Sequence, residues 1–146
     1  METTLKYYSN LDFVSNKSPI IKMIVPDDEH LMLIHLNGEA EQIEILNKKI
    51  KKLDLSKNKY EIAYVAYYDK ILLLSNFDDE IVVYNYKTDS LVFVGILKLK
   101  FPIVEIKNIG NGIFLLLHVY GKMHILFVNQ NGLNPLYYKE TNCLIK

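Results

Sequence analysis

ILLLSNFDDEIVVYNYKTDSLVFVGIL, residues 71–97, holds three short apolar runs separated by two polar turns. Each run is strand length and bounded by Asn, Asp, Thr and Ser, and the second and third are rich in β-branched and aromatic residues. The first, Ile71 to Leu74, is apolar throughout rather than alternating. A strand with one face in water alternates, so a continuous run predicts cover on both faces.

Weaker copies of this pattern lie on either side. Upstream, Ile20 to Val25 closes on Pro26-Asp27-Asp28-Glu29, and Leu31 to Leu36 closes on the hairpin pair Asn37-Gly38. Ile43 to Leu46 ends at Asn47, and Ile50 to Leu55 is a fourth strand with its lysines facing water. Tyr60 to Tyr67 then leads through Asp69-Lys70 into the central stretch. Downstream of Pro102, Ile103 to Ile109 passes Gly110-Asn111-Gly112 into Phe114 to Val119. Tyr120-Gly121-Lys122 turns into Ile125 to Val128, and Asn131-Gly132 into Leu136 to Tyr138. Only residues 36–55 carry enough Lys, Glu and Leu to suit a helix. The Asn37-Gly38 turn and the strand neighbours favour β there too. The chain is expected to be all-β.

Aligned on the third run of each pass, Ile43 to Asn47, Ile81 to Asn85 and Ile125 to Asn129 share one form, four strand residues and an asparagine. The asparagines stand 38 and 44 residues apart. A period near 40 residues with four short strands is the signature of a propeller blade. The expected architecture is three four-stranded antiparallel blade-like repeats, at about 20–55, 60–98 and 103–138, forming a partial β-propeller. Residues 1–19 form an N-terminal segment that is a candidate for a strand completing a blade. A single β-barrel or sandwich is the alternative arrangement of a dozen such strands.

Glu80 to Val92, EIVVYNYKTDSLV, resembles the third-strand segment of WD-repeat proteins, with Tyr84-Asn85 where Trp-Asp would stand. Leu46-Asn47 and Val128-Asn129 occupy the same place in the flanking repeats. The Trp-Asp dipeptide itself is absent, so the resemblance is to a divergent member, and it covers about residues 20–138. It implies a propeller that presents loop faces to protein partners. Three blades do not close a ring, since propellers use about four to eight. A two-chain ring of six blades, completion by a different protein, and a longer chain are the three ways to cover the outer faces.

The composition narrows the function. The chain has 146 residues, half of them hydrophobic, and 17 basic residues balance 17 acidic ones. Every basic residue is lysine. Arginine does most of the bidentate reading of guanine edges and phosphates, so a dedicated nucleic-acid binder is not expected. No apolar run approaches the ~20 residues of a membrane-spanning helix, and METTLKYYSNLDF lacks the apolar core of a secretory signal. The single cysteine, Cys143, cannot form an internal disulfide. A soluble cytoplasmic or nuclear protein is the expectation.

No residue set here carries a known catalytic pattern. Cys143 lacks catalytic flanking residues and reads as incidental. Asp27-Asp28-Glu29-His30 with His35 reads as a solvated turn rather than a metal cluster, because consecutive acids in a turn diverge. His118 and His124 flank a hairpin and can approach each other, and they read as surface strand histidines. Neither cofactor nor metal is expected, and the protein is expected not to be an enzyme.

The candidate partner-binding residues are the acidic turn Asp78, Asp79 and Glu80, the lysines Lys48, Lys49, Lys51 and Lys52, and the pair Tyr67-Tyr68. The acids and lysines are complementary electrostatic patches. Adjacent strand residues point to opposite faces, so one of each tyrosine pair is expected outside, where tyrosine favours interfaces. The expected function is a non-enzymatic protein–protein interaction scaffold, partnered by another protein or by itself. A closed barrel binding a small apolar ligand is the alternative.

Overall fold

The computed structural model describes residues 18–55, 61–76, 79–128 and 136–141, with Val128 and 136–141 described at the level of the backbone. Residues 1–17 of the expected N-terminal segment, Tyr60, Asp78, Asn129, the Asn131-Gly132 turn and Cys143 lie outside these residues.

Among the described residues, twelve strands form three separate four-stranded antiparallel sheets, each a simple meander. The first contains β1 (Ile20–Ile24), β2 (His30–His35), β3 (Ala40–Glu44) and β4 (Ile50–Leu53). The second contains β5 (Tyr64–Tyr68), β6 (Ile71–Ser75), β7 (Glu80–Lys87) and β8 (Ser90–Lys98). The third contains β9 (Ile103–Gly110), β10 (Ile113–His118), β11 (Met123–Val128) and β12 (Leu136–Thr141). Among the described residues no sheet closes on itself and strands of different sheets do not pair, which excludes the single barrel. The fold is a partial propeller of three blades.

The middle sheet shows why its runs are continuously apolar. Leu72, Leu74, Val82 and Tyr84 pack with Met32, Ile34 and Ala40 of the first sheet. Ile71, Leu73, Ile81 and Val83 point the other way, onto Phe114, Leu116 and Leu126 of the third. Both sets are essentially fully buried, at no more than 5% exposure each. Each such aliphatic contributes roughly 1.5–3 kcal/mol of transfer free energy. Two inter-sheet layers, rather than one core, hold the molecule together.

The structural period differs from the one read in the sequence. In the second-to-third-strand hairpins the innermost pairs are Ile34 with Ala40, Ser75 with Ile81 and Leu117 with Met123. The next residues, His35, Asn76 and His118, are therefore equivalent corners, 41 and 42 residues apart. The repeated asparagines are not equivalent. Asn47 lies in the turn after β3, whereas Asn85 sits inside β7, paired with Ile71 and Val92. Ile45 and Leu46 likewise belong to that turn rather than to a strand, and Leu46 is 93% exposed.

Two corners are built alike. The His35 amide bonds the Glu39 carbonyl and the His118 amide bonds the Lys122 carbonyl, both at 2.8 Å. Three residues after each histidine stands a glycine with positive φ, Gly38 at 89° and Gly121 at 69°. Each imidazole Nδ1 donates to a backbone carbonyl 17 residues earlier, Ser18 at 2.8 Å and Phe101 at 2.9 Å. The amides of Leu36 and Val119 bond the carbonyls of Pro19 and Pro102. Each histidine thus pins the chain entering its sheet to the second strand of that sheet.

Candidate functional site

The hairpin register assigns every sheet a leading face, turned to the next sheet, and a trailing face, turned to the previous one. On the middle sheet, Ile71, Leu73, Ser75 and Val83 belong to the leading face, which the third sheet covers. Their equivalents, 42 residues on, are Ile113, Leu115, Leu117 and Ile125. The middle-sheet set is 0–5% exposed. The third-sheet set is only half-buried. The alternating burial of β10, with Phe114, Leu116 and His118 buried between partly exposed neighbours, marks a strand covered on one face. Glu105 and Lys107 of β9 pair with Leu117 and Leu115, share that face, and are exposed.

The trailing face of the first sheet is different. Leu33 is 4% exposed, His35 0%, Glu41 3% and Ile43 2%. His35 Nε2 lies 2.8 Å from Glu41 Oε1. Its Nδ1 already donates to Ser18, so the pair holds one proton between ring and carboxyl. At the third sheet the equivalent partners are His118 and His124, buried at 1% and 0% with ring centroids 4.3 Å apart. Their reading as surface histidines is therefore corrected. His118 Nε2 meets His124 Nδ1, with no carboxylate in the pair.

The sequence-predicted residues do not form one site. Asp79 and Glu80 lie at the end of the strands where the corners are, whereas Lys48 and Lys49 lie in the β3–β4 turn at the opposite end. The expected acidic and basic patches are complementary only piecemeal. Glu80 pairs with Lys98 at 3.7 Å, Lys52 with Glu39 at 3.5 Å and Lys51 with Asp89 at 3.9 Å, all near the surface and worth little each. Lys48 is exposed with φ 59°, and the Lys49 amide donates to Asn47 Oδ1.

Both tyrosines of the central pair are partly buried. Tyr67 packs against the layer between the first two sheets and Tyr68 against the layer between the second and third. Burial pushes the Tyr67 hydroxyl up despite the Lys70 amide donating to it at 3.0 Å. The two residues do point to opposite faces, but each face of the middle sheet has a covering sheet.

Two polar arrangements went unread in the sequence. Gln42 Nε2 donates to Tyr86 Oη at 2.6 Å and to the Thr88 carbonyl at 2.7 Å, tying the first sheet to the second. Burial raises the Tyr86 hydroxyl to about 12. In the first turn, Asp27 accepts from the Glu29 amide and meets His30 Nδ1 at 2.8 Å. Burial alone would raise that carboxyl, but the two partners bring it below its ordinary value. Asp27 and His30 are thus a paired turn, and among the described residues no cluster of three or more His, Cys, Asp or Glu side chains is placed to hold a metal ion. A groove of about 340 Å3 runs along the innermost strands, lined by Met23, Val65, Tyr67 and Ile106 among others. Outside, β8 exposes Val92, Phe93, Val94 and Ile96, each at 38–49%. No helix of the described residues is long and apolar enough to cross a membrane.

No protein-family model matches the sequence, and no curated protein matches it. Solved structures do resemble the fold. The N-terminal domain of Nup159, a β-propeller, superposes with a TM-score of 0.58 at 10% identity, over 88% of this chain and 38% of that one. A chain in the S. cerevisiae complex of a Dbp5 variant with Nup159, a Gle1 variant, IP6 and ADP superposes with a TM-score of 0.55 at 11% identity, over 86% of this chain and 37% of that one. The chain thus spans under two-fifths of the length of these solved chains. Likeness at this identity concerns the fold, and it carries no Trp-Asp signature.

Proposed function

We propose that this protein is a non-enzymatic interaction scaffold of propeller-like blades, working inside the cell in the cytoplasm or nucleus. One observation carries the reading: the third sheet presents a half-open apolar face whose counterpart on the middle sheet is fully covered. Apolar strand faces that repeat a buried layer are surfaces for another protein rather than for water. One structural neighbour is a chain of an assembly of Dbp5, Nup159 and Gle1, which supports the reading by analogy.

The test is a comparison of bound proteins. The wild-type chain and a Leu115→Lys/Ile125→Lys variant are immobilised, and the proteins each retains are identified by mass spectrometry. Proteins held by the wild type and lost from the variant are expected. Identical retained sets would sink the proposal.

A further inference from the structure

We infer that the leading face of the third sheet is a two-fold interface between two copies of this chain. The inference rests on the scaffold reading and names the occupant of its open surface. Inside the chain the same face is built twice more, and each time a neighbouring sheet covers it. The third copy continues that stack with the same register, so a sheet is the occupant its shape calls for.

The other end of the molecule decides how a second copy can bind. A head-to-tail ring or filament requires the trailing face of the first sheet to receive the leading face of the next copy. That face is already closed, with Leu33 and Ile43 at 4% and 2% exposure and a His35–Glu41 pair buried among them. Association that uses only the leading face is isologous, the same patch meeting itself about a two-fold axis, and it stops at two chains.

Such a patch must be complementary to itself. Its centre is apolar, with Ile113, Leu115, Leu117 and Ile125. Its inner rim carries Glu105 and Lys107 two residues apart on one strand, both exposed and opposite in sign. A two-fold axis can set each against the other's counterpart, and the formal charge of zero imposes no net repulsion between copies.

Sedimentation of the full chain over a wide concentration range tests this. The wild type is expected as a dimer that dissociates to a folded monomer and forms no larger species. Leu115→Lys/Ile125→Lys is expected as a monomer at every concentration, while Ile96→Lys on the exposed outer strand leaves the dimer intact. Glu105→Lys is expected to weaken association roughly fivefold, and adding Lys107→Glu to restore it. These rim positions are exposed, so the charge swap still decides if the paired lysine variant does not fold. A wild type that stays monomeric, larger oligomers, or a dimer untouched by both sets of changes would each overturn the two-fold interface. An apolar dye separates the two readings. If a monomeric wild type binds the dye and the paired lysine variant does not, the face is open for another protein and only the dimer is wrong. If neither binds it, the scaffold reading falls as well.

Discussion

His118 donates its Nδ1 proton to the Phe101 carbonyl, because a carbonyl only accepts. Its Nε2 is then an acceptor in the neutral ring, so His124 must carry its proton on Nδ1. Nitrogen-15 chemical shifts are expected to show both rings as Nδ1–H tautomers, and an Nε2–H tautomer at His118 would contradict the geometry. His118→Ala removes the partner of a buried carbonyl and of a buried N–H, with an expected loss of roughly 3 kcal/mol in denaturant unfolding. Tyr86 offers a pH-dependent test. Its raised value means the folded state keeps the phenolic proton while the unfolded state releases it. Its contribution is therefore complete below pH 10 and falls away between pH 10 and about 12. The chain has eleven tyrosines, so the measurement is the difference between wild type and Tyr86→Phe, which is expected to shrink across that window. Neither residue's role was legible in the sequence. The adjacency of His118 and His124 across a hairpin was, but their burial was not, since it depends on a neighbouring sheet. A usable signal did exist: Pro19 and Pro102 each stand 16 residues before a corner histidine.

At the scale of the element, strands and turns were readable because turn chemistry is local, while the register between repeats was not. Asparagine is favoured in turns and tolerated in strands, so a shared asparagine fixes neither position. Asn47 and Asn85 show both cases. β7 runs eight residues, to Lys87, and β3 only five, to Glu44, so runs aligned on their ends slip by several positions. The two histidine corners hold the register instead, because each has a glycine with positive φ three residues after the histidine. Gly38→Ala and Gly121→Ala are expected to cost about 1 kcal/mol each, since both place a Cβ in the left-handed region. Equal losses in thermal unfolding support the equivalence of the two corners. An unchanged melting temperature in either variant counts against it.

Across the whole molecule, the continuous apolar runs of residues 71–97 did announce a sheet covered on both sides, and the flanking repeats supply that cover. What they could not announce is the asymmetry of the two ends, because burial of the first sheet's trailing face and exposure of the third's leading face depend on what packs there. Leu73 and Leu115 measure that asymmetry, since they occupy the same position one repeat apart. Leu73 has no exposed surface, so Leu73→Ala opens a cavity between two sheets and is expected to cost 2–5 kcal/mol at any protein concentration. Leu115 is half-buried in one chain, and truncating it is expected to cost about 1 kcal/mol when the chain is dilute. In a dimer the same side chain gains a partner's cover, so its cost should rise towards that of Leu73 as concentration increases, because unfolding is then linked to dissociation. Chemical unfolding at two concentrations a hundredfold apart distinguishes the cases. A Leu115→Ala loss that matches Leu73→Ala at the lower concentration means the face is already fully packed within one chain, and a loss that stays small at both means that no second sheet ever covers it.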